Sequence, residues 1–377
     1  MIINDAKRIV FKFGTNVLRN EDKEISLSRI YSFIEEISKL HRQDKEIIIV
    51  TSGAVGLGSK ILNVDSSESL SIKQACAAVG QSQLMSIYED GFGKYSIKTA
   101  QILLTEDDFT NRIKYLSLNN VLNTLLELSV IPVINQNDTV SASELEGTDN
   151  PVYGVCFSDN DKLSALVASK LDADLLVILS DIDGLYNDNP KENPNAELIN
   201  EVKEITEEIE NYGQSASKGG RGGMRTKLQA AKVVTHSGGF VVIANGKKPQ
   251  IIKRLFSGEK TGTTFYPVEQ LSQKRRWIAY ATNITGQIVV NTGAKNAVIA
   301  ENKSLLPIGV LKINGCFGCG DVVSIADEDN NEFARGIANY SSSDCDKIKG
   351  RHSGNIYEIL GHKNYDAVIT KDNIALL

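Results

Sequence analysis

The chain has 377 residues, 41% of them hydrophobic, and a formal net charge of −6. It is too apolar to be a disordered chain, too long for one core, since single cores rarely grow past about 250–300 residues, and too acidic to bind nucleic acid over its whole surface. Residues Met1 to Arg8 lack the apolar stretch of a signal peptide, and no apolar run reaches the ~20 residues that span a bilayer, so a cytoplasmic, two-domain protein without a membrane partner is expected.

Along the chain, short β-branched runs alternate with stretches of helical spacing, the pattern of a doubly wound α/β fold. Arg8–Phe13 reads as a buried strand, and Leu27, Ile30, Tyr31, Ile34, Ile37 and Leu40 recur at helical intervals. Ile47–Thr51 is apolar until its last residue, as in a strand covered on both faces of a parallel sheet. A helix over Ser71–Tyr88, a strand over Thr99–Leu104, a helix over Arg112–Leu128 and a strand over Ile131–Asn135 follow. Asp161–Leu171 reads as helix, Leu175–Ser180 as buried strand, Met224–His236 as helix, and Phe240–Ala244 as the last strand of this region. The pattern changes near Thr261–Ser272. Beyond it Ile288–Val290, Ala297–Ile299, Gly309–Ile313, Val322–Ile325 and Phe333–Ile337 are short β runs between Gly, Asn and Asp turns, which predicts a small all-β barrel with little helix. The expected domains are residues 1–268 and 275–377.

Five cysteines, Cys76, Cys156, Cys316, Cys319 and Cys345, are too few and too scattered for a disulfide framework. Cys316 and Cys319 form a C-x-x-C pair. Cys345 and His352 lie downstream as further ligands, without the spacing of a second pair. A reduced, structural pair is expected, and no protein metal site.

The polar residues of interest follow strand ends: Ser52-Gly53, Asn135–Asp138 and Asp181. Open α/β sheets bind ligands at that edge. The run Gly219-Gly220-Arg221-Gly222-Gly223-Met224-Arg225-Thr226-Lys227 leads into a helix. Glycines free the backbone to turn its N–H groups inward on an anion, the helix start adds its own, and Lys227 adds a full charge in the first turn. Lys12, ending the first strand ahead of Gly14, is the second lysine-glycine site. Two lysines over a glycine-rich floor suit phosphoryl transfer, in which the protein positions reactants and neutralises charge. Asp161 can bridge both lysines, Asp181 can accept from the ribose hydroxyls or the adenine region of a nucleotide, and Asp138 can pair with an α-ammonium group. Plainer readings stand beside these: Lys12 as a strand-end lysine reaching solvent, and Asp159 or Asn160 as an ordinary helix cap.

Together, Lys12-Phe13-Gly14-Thr15, Val50–Ala54, Ala78-Val79-Gly80-Gln81-Ser82, Val133–Asp138, Asp159-Asn160-Asp161, Ser180–Tyr186 and Gly222–Lys227 resemble the glutamate 5-kinases of the amino-acid kinase family over nearly the whole chain. The tail, through Leu305–Val310, Gly315–Val323 and Ala334–Ala338, resembles a PUA module. The resemblance implies a three-layer α/β sandwich with a mostly parallel central sheet, followed by a small all-β PUA-like barrel. It implies transfer of the γ-phosphoryl of ATP to the side-chain carboxylate of L-glutamate, the first step of proline synthesis. Lys12, Asp161 and Lys227 would be catalytic, and Ser52, Asp138 and Asn160 would hold glutamate. Lys12, Ser180, Asp181, Arg221, Gly222, Gly223, Met224, Arg225, Thr226 and Lys227 would hold ATP, with Mg²⁺ carried on the phosphates. The attacking carboxylate is already ionised, so no general base is needed.

Gln136, Ser158, Lys162 and Arg221 depart from the family's usual residues. The same fold with another acceptor (N-acetylglutamate, aspartate, carbamate or UMP) is one competing reading. An RNA-binding regulator using the tail is another, though basic and acidic residues are balanced there and RNA binding is not expected. A homo-oligomer (dimer or tetramer), feedback inhibition by proline, and glutamyl phosphate reductase as a partner are the family expectations.

Overall fold

Strand β1 (Arg8–Phe13) is buried at every position but its first, because it lies between two parallel neighbours, β2 (Glu46–Val50) and β5 (Leu175–Ser180). The computed structural model describes residues 3–22, 24–105, 107–110, 112–140, 160–190, 192–215, 223–268, 278–279 and 284–377. Contacts divide these into two units, one holding the described residues up to Val268 and the other those from Ile278.

The first unit is built on an eight-stranded sheet. Its other strands are β3 (Lys98–Leu104), β4 (Val130–Gln136), β6 (Glu201–Val202), β7 (Phe240–Asn245) and β8 (Thr263–Phe265). The order is β3-β4-β2-β1-β5-β7-β8-β6, and every pairing is parallel except β7 with β8. Phe240–Ala244 is therefore not the last strand of the region. The antiparallel β8 follows it, too short at three residues for its alternation to register in the sequence.

The intervening helices are α1 (Thr15–Leu18), α2 (Leu27–His41), α3 (Ala54–Leu62), α4 (Leu70–Gly93), α5 (Asp107–Thr110), α6 (Arg112–Glu127), α7 (Asn160–Lys170), α8 (Glu207–Ser215), α9 (Met224–Thr235) and α10 (Ile251–Phe256). Helix α2 buries Ile30, Phe33, Ile34, Ile37 and Leu40, one stripe at helical spacing, and Phe33 stacks on Phe13 of β1 at 4.9 Å. Glu36 is buried on the same helix. Its Oε2 accepts from the backbone N–H of Lys253 at 2.8 Å, which satisfies one of the N–H groups left open at the start of α10.

Helices α3 and α4 touch backbone to backbone. A Cβ on Gly80 would lie 1.8 Å from the carbonyl oxygen of Ala54, and one on Gly58 1.8 Å from that of Cys76. Helix α3 escaped the sequence reading because glycines at 56 and 58 lower its helix propensity. Gly58 is there for packing, not for a turn.

The second unit holds a five-stranded sheet in the order β10-β9-β11-β12-β13, with β9 (Gly286–Val290), β10 (Val310–Gly315), β11 (Val322–Ala326), β12 (Glu332–Ile337) and β13 (Ile374–Leu376). Its core includes Ile288, Val290, Val323, Ile325 and Ile369. The expected strand at Ala297–Ile299 is instead the end of helix α11 (Thr292–Ile299). Asn291 caps that helix, its Oδ1 accepting from the N–H of Ala294 at 2.8 Å. Three apolar residues alone cannot separate the two periods, and the cap decides. Two further short helices, α12 (Ser342–Ile348) and α13 (Ile356–Leu360), follow among the described residues. Cys316 and Cys319 are exposed free thiols, and Cys345 is buried and free; burial pushes its thiol up to about 12. Cys156 lies outside the described residues. Among the described residues no helix is long and apolar enough to cross a membrane.

Candidate active site

Side chains alternate along β1, so Lys12 points away from the face that carries Phe11 and Phe13, toward α7, which packs on the strand. The first turn of α7 presents Asp161 there. Lys12 Nζ lies 2.5 Å from Asp161 Oδ1. Lys227, in the first turn of α9, places its Nζ 3.1 Å from Asp161 Oδ2. Thr226 turns its hydroxyl to the same Oδ2 at 3.0 Å and to the carbonyl of Gly223 at 2.9 Å. All three charged side chains are buried, Asp161 to 0% exposure.

Burial alone would raise the carboxyl of Asp161. The charges of Lys12 and Lys227, and their hydrogen bonds, outweigh it and hold the group down to about 2. Two ammonium groups and one carboxylate leave these three side chains with one net positive charge. As a unit, in a low-dielectric setting, they attract an anion.

Beside this cluster runs a chain of neutral amides. Asn160, next to Asp161, does not cap α7 with its side chain. Its Nδ2 reaches the carbonyl of Thr51 at 2.7 Å, Ser52 Oγ at 2.8 Å and Asn135 Oδ1 at 3.1 Å. Asn135 Oδ1 also accepts the backbone N–H of Gln136 at 2.9 Å, and Asn135 Nδ2 donates to Gln81 Oε1 at 2.8 Å. Thr51 O can only accept and the Gln136 N–H can only donate. These two backbone groups therefore fix which end of every amide is nitrogen and which is oxygen. Thr51 is anchored in turn by Tyr88, hydroxyl to hydroxyl at 2.8 Å, and burial pushes that phenol well above its ordinary range. Gly53, at φ +102°, takes the left-handed conformation that turns the chain from Ser52 into α3. Asp138 lies in the turn after β4, whose Asn137 N–H bonds back to Leu104 O at 2.8 Å.

On the other side of β1, Ser180 ends β5 and Asp181 follows. Burial pulls the Asp181 carboxyl up. Hydrogen bonds from Asn16 at 3.0 Å, its own backbone and Ser180 at 3.3 Å, with nearby Lys247, outweigh that and leave it below its ordinary value. Asp183 is held similarly by Asn245 at 2.8 Å and Lys248 at 2.9 Å.

The structure thus brings Lys12, Asp161, Lys227 and Thr226 to one carboxylate, and Ser52 and Asn160 to one hydrogen-bonded chain. Ser180 and Asp181 sit at the same C-terminal strand edge as Lys12. Gly223 has an ordinary extended backbone (φ −68°, ψ −174°), not one that needs glycine. Arg221 and Gly222, with Asp159, Ser158 and Gly219–Gly220, lie outside the described residues. Met224 is buried behind the start of α9, and Arg225 is exposed. Sequence reasoning missed Asn16, whose partner lies far along the chain, and gave Gln81 no role, although Val79-Gly80-Gln81 had marked it. Among the described residues no group of three or more His, Cys, Asp or Glu could hold a metal.

The model of the amino acid kinase family matches residues 7–245, and that of the PUA domain residues 286–360. Over 378 residues, 100% of this chain and 98% of the relative, the chain is 46% identical to a protein named glutamate 5-kinase from Methanococcoides burtonii. A glutamate 5-kinase from Caldanaerobacter subterraneus subsp. tengcongensis is 43% identical over 98% of each chain. Among solved structures, carbamate kinase from Giardia lamblia bound to AMP-PNP superposes with a TM-score of 0.50 at 16% identity, covering 71% of this chain and 100% of that one. At that identity the likeness speaks for the fold alone.

Proposed function

The chain belongs to the amino acid kinase family and, within it, to the glutamate 5-kinases; from this premise we propose that Lys12, Asp161 and Lys227 carry the transfer of the γ-phosphoryl of ATP to the side-chain carboxylate of L-glutamate. The product is L-glutamyl 5-phosphate, the first intermediate of proline synthesis. The observation that supports these roles is the grip of Asp161 on both lysines, at 2.5 and 3.1 Å.

In this reading a glutamate carboxylate oxygen forms the new bond to the γ-phosphorus. The bond to the β–γ bridging oxygen breaks, and ADP leaves with the electron pair. Lys12 and Lys227 neutralise charge on the migrating group, and Asp161 keeps their heads aimed and ionised. Ser52, Asp138 and Asn160 hold glutamate. Ser180, Asp181 and the segment from Arg221 to Lys227 hold ATP. The described residues offer cations and N–H groups for phosphates and no cage for a divalent ion. That donor set fits Mg²⁺ borne on phosphate and water oxygens, where the ion would add charge neutralisation. The kinase unit is taken to end near Val268. The PUA-like unit serves as a structural or regulatory module. A homo-oligomer, inhibition by proline and hand-over of the water-sensitive acyl phosphate to glutamyl phosphate reductase belong to the same reading.

The test is an acceptor panel with ATP and Mg²⁺, the acyl phosphate being trapped by hydroxylamine. Glutamate should give the trapped product, and N-acetylglutamate, aspartate, carbamate and UMP should not. Activity on N-acetylglutamate with none on glutamate would overturn the acceptor assignment.

A further inference from the structure

Every amide in the chain from Asn160 through Asn135 to Gln81 has its orientation fixed, and the chain ends on one unmade bond. Gln81 is 7% exposed, and its Nε2 is buried without a hydrogen-bond partner among the described residues. Its Oε1 is held by Asn135 at 2.8 Å, so turning the amide over would set two nitrogens against each other. A buried donor without a partner is costly, and native structures carry few of them.

We propose that Gln81 is a further acceptor-binding residue, whose Nε2 donates to the α-carboxylate of glutamate. The inference rests on the acceptor pocket assigned above. The donor suits an anion and not the ammonium group. Along the hydrogen-bonded chain Gln81 stands at the end away from Asp161 and its lysines, which places it by the amino-acid head and not by the reacting carboxylate. Asp138, in the turn just past Asn135, takes the ammonium on the same carbon. Nε2 is closed to water, so contact with it takes a small displacement of the surrounding side chains, which the new charge-assisted bond offsets.

The experiment uses the full-length protein with Gln81→Glu, which keeps the oxygen that Asn135 needs and replaces the donor with a negatively charged acceptor, and Gln81→Met, which removes both the oxygen and the donor without adding charge. Steady-state turnover is measured with L-glutamate and with L-isoglutamine, whose α-carboxylate is an amide. Wild type should prefer glutamate by about tenfold or more in kcat/KM, and both variants should raise the glutamate KM by about tenfold, with kcat and the ATP KM held within about threefold. In Gln81→Glu the preference for glutamate over isoglutamine should collapse, because the new carboxylate can accept from the amide. A glutamate KM unchanged in Gln81→Glu overturns the proposal and leaves Gln81 a mere support for Asn135. So does a wild type that uses isoglutamine as well as glutamate, an arm that needs no variant to fold. A wild type inactive on glutamate but active on another acceptor would instead bring down the pocket assignment beneath it.

Discussion

Two polar clusters lie side by side at the ends of the parallel strands, and they are built on opposite principles. Lys12, Asp161 and Lys227 are ionised, buried and held by charge. Asn160, Asn135, Gln81 and Ser52 are neutral, and two backbone groups set their directions. In the proposed mechanism, charge acts where charge develops, on the migrating phosphoryl in the transition state. Fixed neutral dipoles act on a group whose charge is the same before and after reaction. The first cluster should therefore govern kcat and the second KM, and each experiment below can separate or merge them.

The largest effect is expected of Lys227→Ala, with kcat falling by about 10²–10³ and the glutamate KM within about threefold. An unchanged kcat would remove Lys227 from the chemistry. Asp138→Ala should show the converse, a glutamate KM raised about tenfold with little change for ATP; a loss of ATP affinity instead would mean that the wrong pocket was assigned. Gly80→Ala forces α3 and α4 apart, and overpacking of this kind costs about 1–3 kcal/mol. Thermal melts should register that, with the glutamate KM rising more than kcat falls.

Asp161 gives a smaller effect, one that depends on pH. Its folded carboxyl is held down to about 2, below the ordinary value, so its stabilising contribution is complete above the unfolded pKa and fades as pH falls through the folded one. The gap in melting temperature between wild type and Asp161→Asn should stay constant from neutral pH to about 5 and narrow below about 4. A gap that widens in acid would contradict the ionised assignment. The smallest effect is expected from ending the chain after Val268, because both clusters lie in the first unit. A soluble, active kinase unit is the expected outcome, and loss of soluble protein would indicate a core shared with the tail.

Much of this was legible in the residues themselves. Lys12, Asp161 and Lys227 could be paired before any fold was known, because strand-end lysine, helix-start aspartate and first-turn lysine each carry a local signature. The strands β2 and β5 announced themselves as nearly unbroken apolar runs. Local pattern failed where a residue acts at a distance. Asn160 looked like a helix cap, and only the approach of Thr51 and Asn135 shows that its amide faces away from α7. Gly58 weakened the signal of α3 while serving a contact that no local window contains. Ala297–Ile299 carried too few residues to choose its own period, and Asn291, just upstream, chose it.

The three charged residues come from β1, α7 and α9, which fold as separate pieces of secondary structure. The pairings of Asp161 with Lys12 and with Lys227 therefore form only once all three have docked. During refolding, helical signal should recover ahead of catalysis, and the return of turnover would time the final assembly of the sheet with its covering layer.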